Sequence, residues 1–338
     1  MAAPLPSLPE SAMWSVPADE PLLEVSDLVV EYASDEPVRA VDKVSLRVGR
    51  GEFVGIVGES GCGKSTLLYA ISSLLTSPAR VVSGSVTFKG HQMTSLTEDE
   101  LRQIRWRDLS VVMQSAMNAL NPVLTIGAQL RDAMAAHEKV SPARLRERSE
   151  DVLRLVGIDP IHLRSYPHQL SGGMRQRAMI AMALVFKPDL VIMDEPTSAL
   201  DVVAQRSLIL RVKQLQREIG FAVLFVTHDM SLVSHLSDRL AIMYAGQIAE
   251  LGPTREVFSN PRHPYSQGLL QAFPSIRGPR RPLTGIPGSP PDLRRPPTGC
   301  RFHPRCGQVM EVCSRDEPRV HQVGDTDLVR CHLYEAEA

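Results

Sequence analysis

The sequence predicts an α/β fold built around a mainly parallel sheet, and two observations carry that prediction. Four short runs are nearly all apolar: FVGIV (53–57), LSVVM (109–113), LVIMD (190–194) and AVLFV (222–226). Runs of this length without polar alternation fit strands covered on both faces. Helix-like segments separate them, at 64–76, 125–137, 142–156, 173–186 and 202–219. Strands and helices in alternation read as α/β. With 338 residues the chain has room for about two domains. Its 43% hydrophobic and 22% charged content suits a globular protein with a sizeable core.

Charge and hydropathy exclude several classes. Lys plus Arg total 37 against 38 for Asp plus Glu, a net charge of −1, so the chain is no general nucleic-acid coat. No stretch of about 18 apolar residues occurs, so no membrane span is expected. Residues 1–21 lack a basic region followed by an apolar run and read as a disordered leader. The protein is therefore expected to stay in the cytoplasm. The character changes near residue 250, which divides the chain into 22–250 and 251–338.

The elements carry the chemistry in order. FVGIV leads into Gly58-Glu59-Ser60-Gly61-Cys62-Gly63-Lys64-Ser65, followed by Thr66 and a helix. This fits G-x-x-x-x-G-K-[ST] in its strand–turn–helix context, a phosphate-binding P-loop. The glycines let backbone N–H groups turn toward phosphate oxygens, and the helix N-terminus adds partial positive charge. Lys64 should bridge the β- and γ-phosphates of ATP, and Ser65 should coordinate Mg²⁺. Cys62 occupies a free position of the loop and reads as a small side chain that fits. Ser141-Pro142 is a cap and first-turn pair for the third helix. LVIMD ends in Asp194, a candidate Mg²⁺ ligand, with Glu195 placed to polarise an attacking water. Ser171-Gly172-Gly173 opens a helix, with Ser171 as N-cap, and two glycines there make another anion-binding surface.

In Leu170-Ser171-Gly172-Gly173-Met174-Arg175-Gln176-Arg177, Ser171 lies 107 residues after Lys64 and 23 before Asp194. In that order the segment resembles the LSGGQ-type signature of ATP-binding cassette (ABC) ATPases, with Met174 in place of the commoner Gln. The resemblance covers residues 22 to 250. It implies a P-loop fold whose parallel core carries an antiparallel β subdomain and a helical subdomain at about 115–185. Tyr32 matches the aromatic residue that stacks on adenine. Gln114 matches the Q-loop glutamine that senses Mg²⁺, Ser198-Ala199-Leu200-Asp201 the D-loop, and His228 the switch histidine at the γ-phosphate. The resemblance further implies a head-to-tail dimer in which Ser171, Gly172, Gly173 and Asp201 of one subunit complete the ATP site of the other. Glu195, His228 and Lys64 would be the catalytic residues, and Ser65, Gln114 and Asp194 the Mg²⁺ ligands.

Asn260-Pro-Arg-His-Pro-Tyr265 through Pro274, with Ala119-Leu-Asn-Pro-Val-Leu-Thr-Ile-Gly127, resembles the peptide-permease ATPases and their C-terminal "HPY" extension. That resemblance implies import of dipeptides or oligopeptides, with nickel, glutathione or another small solute as alternatives. A soluble ABC ATPase without transport is the rival class. The implied partners are two transmembrane permease subunits, a second ABC ATPase in a heterodimer or homodimer, and an extracytoplasmic binding protein. The implied place is the cytoplasmic face of the plasma (inner) membrane, held peripherally, and no nucleic-acid partner is expected.

Four of the five cysteines lie at Cys300, Cys306, Cys313 and Cys331. In the same subfamily such a set binds a [4Fe–4S] cluster, and four thiolates suit one. A four-cysteine zinc site is the alternative, although tight C-x₂₋₄-C pairs are missing. Residues 277–306 hold seven arginines (Arg277, Arg280, Arg281, Arg294, Arg295, Arg301, Arg305) against Asp292. They read first as a solvated arm and second as a contact for anionic headgroups or the permease.

Overall fold

A computed structural model of the chain describes residues 20–114, 119–198, 200–272, 285–324 and 327–337. Strands β1 (Leu23–Tyr32) and β2 (Val38–Val48) pair antiparallel. All five residues of β3 (Phe53–Val57) are buried, and α1 (Lys64–Ile71) follows. The helix expected over 64–76 is shorter than that, because Ser72 closes it and Ser73 turns into the left-handed region at φ 53°. Next come β4 (Ala79–Phe88), β5 (His91–Gln92), α2 (Glu98–Ile104) and β6 (Leu109–Val112). Thr97 and Glu100 open α2 as a reciprocal capping box.

The expected helices over 125–137 and 142–156 appear as α3 (Ile126–Ala135) and α4 (Pro142–Leu155), capped by Thr125 and Ser141. Ser171 caps α5 (Gly172–Leu184). Then follow β7 (Leu190–Asp194), α6 (Val202–Ile219), β8 (Ala222–Val226), α7 (Met230–Leu236), β9 (Arg239–Tyr244) and β10 (Gln247–Pro253). The chain closes with α8 (Thr254–Ser259), α9 (Pro264–Gln271), β11 (Val320–Val323) and β12 (Asp327–Arg330).

An eight-stranded sheet runs in the order β11-β12-β10-β9-β3-β8-β7-β6. From β9 to β6 every pairing is parallel. A separate antiparallel sheet, β2-β1-β4-β5, packs against it through α1, in one cluster that joins Leu28 and Val44 to Ile56, Leu68 and Leu224. The helices α3, α4 and α5 share the second cluster with Val191, Val223 and Phe225 on the other face. The parallel core and the antiparallel sheet thus match the expected α/β class. No helix among the described residues is long and apolar enough to cross a membrane.

The tail completes the same sheet. β12 pairs with β10 through Glu250↔Val329 and Leu251↔Leu328, and the change of character near residue 250 falls inside β10. Glu250 is fully buried and accepts from the amides of Arg262 and His263, both at 2.8 Å. Buried His263 caps α9 by accepting from the Tyr265 amide at 2.9 Å. Burial pushes its pKa down to about 4, so the ring stays neutral and able to accept.

The arginine-rich stretch departs from the solvated arm. Arg301 is largely covered, its side chain 10% exposed, and binds Asp42 and the Ala245 carbonyl. Arg305 is buried, whereas Arg294 and Arg295 are exposed in pairs with Asp292 and Glu36. Arg277, Arg280 and Arg281 lie outside the described residues.

Phe225 sits fully buried on β8, its ring 5.8 Å from that of Phe53 on the neighbouring strand. Phe225→Ala is expected to cost about 3–5 kcal/mol of unfolding free energy, read from the denaturant midpoint. A loss below about 1 kcal/mol would show that this layer repacks freely.

Candidate nucleotide site

Parallel strands present their carboxyl ends on one edge of the sheet, where α/β proteins bind ligands. The neighbours β3, β8, β7 and β6 therefore bring together the loops beginning at Gly58, Thr227, Glu195 and Met113. Those loops hold most of the residues singled out in the sequence.

The loop 58–63 wraps the N-terminus of α1. Gly58 and Gly63 are there by necessity. A Cβ on Gly58 would lie 2.1 Å from the Met243 carbonyl oxygen, and one on Gly63 would lie 2.0 Å from that of Ala40. Gly63 also has φ 103°, which L side chains avoid. Lys64 is 7% exposed, and its ammonium donates to the carbonyls of Gly58 and Glu59, both at 2.9 Å. Cys62 is buried beside it, and burial raises the thiol pKa although Lys64 opposes the shift. It is a packed thiol, as read from the sequence.

Asp194 ends β7 with 1% exposure, and neither carboxylate oxygen has a hydrogen-bond partner. The Ser65 hydroxyl lies close enough to favour the charged form without the geometry of a bond, and burial dominates, raising the pKa. An orphaned, buried carboxylate beside a hydroxyl is the environment a divalent cation would satisfy.

Glu195 follows in the left-handed region at φ 44°, a strained conformation for a non-glycine residue. Its amide donates to the Val226 carbonyl at 2.9 Å, which locks it to the end of β8. The Gln114 amide donates to Oε2 at 3.2 Å, and His228 Nδ1 lies 3.2 Å from Oε1. The fold thus brings Gln114, Glu195 and His228, distant in sequence, into one hydrogen-bonded triplet. Tyr32, at the end of β1, bonds through its hydroxyl to Thr66 Oγ1 at 3.1 Å.

The remaining candidates stand elsewhere. Ser171 accepts from the Met174 amide at 3.3 Å, and Asp201 from Ala204 at 2.9 Å, as helix caps. Both are exposed, and a Cβ on Gly173 would meet nothing within 4 Å. Asp201 is followed by Val202 and Val203, at 78% and 80% exposure. Ala199, in the same segment, lies outside the described residues.

Cys300, Cys306, Cys313 and Cys331 line one cavity together with His263 and His332. None is in a disulfide, and burial raises the thiol of Cys331 to about 11. Among the described residues no group of three or more His, Cys, Asp or Glu is placed to hold a metal ion, so the four thiols line this cavity without converging on a single ion.

Sequence reasoning missed Arg305 and Tyr265 as neighbours of this site. Tyr265 OH accepts from the Glu59 amide at 3.1 Å, and Arg305 binds the Glu59 carboxylate. Both residues were visible, one in the HPY motif and one in the arginine run. Their partner more than 200 residues upstream was not.

Burial of Asp194 disfavours its charged form in the fold. The resulting cost is present above the ordinary carboxylate range and fades as pH falls through it. Asp194→Asn is therefore expected to raise the ligand-free melting midpoint at neutral pH by about 1–2 °C, roughly 1 kcal/mol. The gap should close toward about pH 4, and a lowered midpoint at neutral pH would contradict it.

Comparison with known proteins places this geometry. Residues 41–198 match the family model described as ABC transporter, and residues 249–313 match that of the oligopeptide/dipeptide transporter C-terminal region. The dipeptide transport ATP-binding protein DppD of Bacillus subtilis is 44% identical over 94% of this chain and 96% of its own length. The oligopeptide transport ATP-binding protein OppD of Salmonella typhimurium is 42% identical over 92% of this chain and 94% of its own. A dimeric ATP-binding cassette solved in a post-hydrolysis state with ADP and Pi is similar in structure, with a TM-score of 0.62 at 30% identity. It covers 69% of this chain and 99% of that one. Matched along nearly its whole length by such relatives, the chain belongs to the ABC transporter ATP-binding proteins of the dipeptide and oligopeptide type.

Proposed function

We propose that the chain is the ATP-hydrolysing subunit of a peptide-importing ABC transporter, with residues 22–250 as the nucleotide-binding unit and 251–338 as its extension. The observation that carries this is the single edge where Lys64, Asp194 and the Gln114–Glu195–His228 triplet meet. Phosphoryl transfer asks mainly for positioning and neutralised charge, and these residues supply both. The amides of 58–66 and the Lys64 ammonium would hold the phosphates, with Lys64 exchanging its two carbonyl partners for phosphate oxygens. Ser65, Gln114 and Asp194 would hold Mg²⁺, which supplies charge neutralisation on the phosphates. Glu195 orients the attacking water and His228 reaches the terminal phosphate. Bonded as they are to both Glu195 oxygens, Gln114 and His228 keep that carboxylate aimed. Tyr32 would support the adenine.

Ser171, Gly172, Gly173 and Asp201, exposed at their helix starts, would close on the nucleotide of a second cassette. Two helix N-termini can share one γ-phosphate across such a contact, and hydrolysis removes the charge they share. ATP therefore biases a two-state dimer. The partner cassette would be a related chain or a second copy. Two permease subunits and an extracytoplasmic binding protein would complete the transporter on the cytoplasmic face of the plasma membrane, which suits a chain whose described helices include none able to span it. The peptide substrate is supported by the relatives and by the match at 249–313.

Glu195→Gln is expected to lower ATP turnover by at least about 100-fold while MgATP binding persists. Hydrolysis at the wild-type rate would overturn the catalytic assignment. Vesicles reconstituted with the permeases should take up a labelled dipeptide in preference to nickel or glutathione.

In the tail, Cys300, Cys306, Cys313 and Cys331 would hold a [4Fe–4S] cluster. The support is four unpaired thiols lining one cavity, while His332 has both ring nitrogens engaged by Glu335 and Asp316. Such a group, when bound, ties four chain positions through iron–thiolate bonds. Anaerobically purified protein should be brown, with about four iron and four sulfide per chain. Colourless protein, or one zinc per chain, would overturn this reading.

A further inference from the structure

Glu59 follows the first glycine of the phosphate loop. Left alone, its carboxylate would repel a nucleoside triphosphate bound there. The C-terminal segment removes that repulsion. Arg305 donates Nη1 to Glu59 Oε2 at 2.7 Å and Nη2 to Oε1 at 3.0 Å, a two-pronged pair between residues 246 apart. The Arg305 side chain is 6% exposed and that of Glu59 25%. Arg305 is itself held, with Nε donating to the Pro287 carbonyl at 2.8 Å and Nη1 to the Tyr244 hydroxyl at 3.3 Å.

The backbone of Glu59 is held by the same segment. Its amide donates to Tyr265 OH, and Tyr265 is fully buried in contact with the rings of Tyr244 and Phe302 at 4.5 and 5.4 Å. Carboxylate and amide of one loop residue are thus both anchored from beyond residue 260.

We infer that Arg305 and Tyr265 are positioning residues of the nucleotide loop, through which the C-terminal segment sets the loop's affinity for MgATP. This rests on the nucleotide reading above. Arg305 lies in a tight turn between Cys300 and Cys306, whose amides bond Arg305 to Phe302 at 3.0 Å and Cys306 to His303 at 3.3 Å. Whatever loosens that turn moves the guanidinium away from Glu59. Coupling of this kind is reciprocal, so nucleotide binding should also steady the turn.

The test uses the full chain and the magnesium complex of the non-hydrolysable analogue adenylyl imidodiphosphate as probe. R305Q is expected to weaken binding about ten-fold, and in hydrolysis assays to raise KM for ATP with kcat within about two-fold. R305K should recover part of the loss. In an E59Q background, removing Arg305 should change the dissociation constant by less than about three-fold, because no charge is left to neutralise. Y265F should weaken binding, and amide exchange of residues 300–306 should slow when the probe is added. If R305Q binds as the wild type does, even with a lowered melting midpoint, Arg305 is a structural staple and the inference fails. If R305Q does not fold, R305K against wild type and E59Q/R305Q against E59Q decide the same question. Wild-type protein that binds no probe would instead overturn the nucleotide reading itself.

Discussion

A buried ammonium and a buried carboxylate at one end of one sheet are the constraint on which the site depends. Lys64 is 7% exposed and Asp194 1%; Lys64 opens the helix after β3, Asp194 ends β7, and only β8 separates the two strands. Desolvating a charge is costly unless partners replace water. Lys64 has two carbonyls for that purpose, whereas Asp194 has no hydrogen-bond partner at all. The fold tolerates this because, Asp194 itself apart, the surrounding strands carry no polar side chain and are packed: every residue of β3, β7 and β8 is buried. Stability gathered in the sheet thus sustains a buried carboxylate that no hydrogen bond satisfies.

The strain at Glu195 belongs to the same logic. A left-handed non-glycine residue persists where its surroundings over-determine it. Here the Val226 carbonyl holds the amide while Gln114 and His228 hold the carboxylate. One side chain comes from the loop after β6, the other from the loop after β8. A displacement of either loop is therefore felt at the acid between them, which links the chemistry to the segments flanking it.

The C-terminal segment extends this arrangement. Its hairpin, β11 and β12, lengthens the central sheet beside β10. Its aromatic cluster and Arg305 reach back to the loop at Glu59, while Arg301 reaches Asp42 on β2. Arginines removed from water are tolerated only with charge partners, and both find an acid of the first 60 residues: Asp42 for Arg301 and Glu59 for Arg305. The tail and the nucleotide unit share one core.

What the chain alone determined is local. The four apolar strands, the caps Ser141 and Ser171 and the glycine loop before Lys64 are readable because strand burial, capping and positive φ leave their mark within a few residues. The class of chemistry followed from the order of those marks. Tertiary structure decided the rest. Helix α1 stops early because Ser73 must turn left, and the antiparallel β2-β1-β4-β5 sheet has no run as apolar as FVGIV to betray it. The Gln114–Glu195–His228 triplet, the orphaned Asp194 and the grip of Arg305 on Glu59 arise from strand order and from pairings up to 246 residues apart. Such contacts depend on how layers pack, and no periodicity along the chain encodes them.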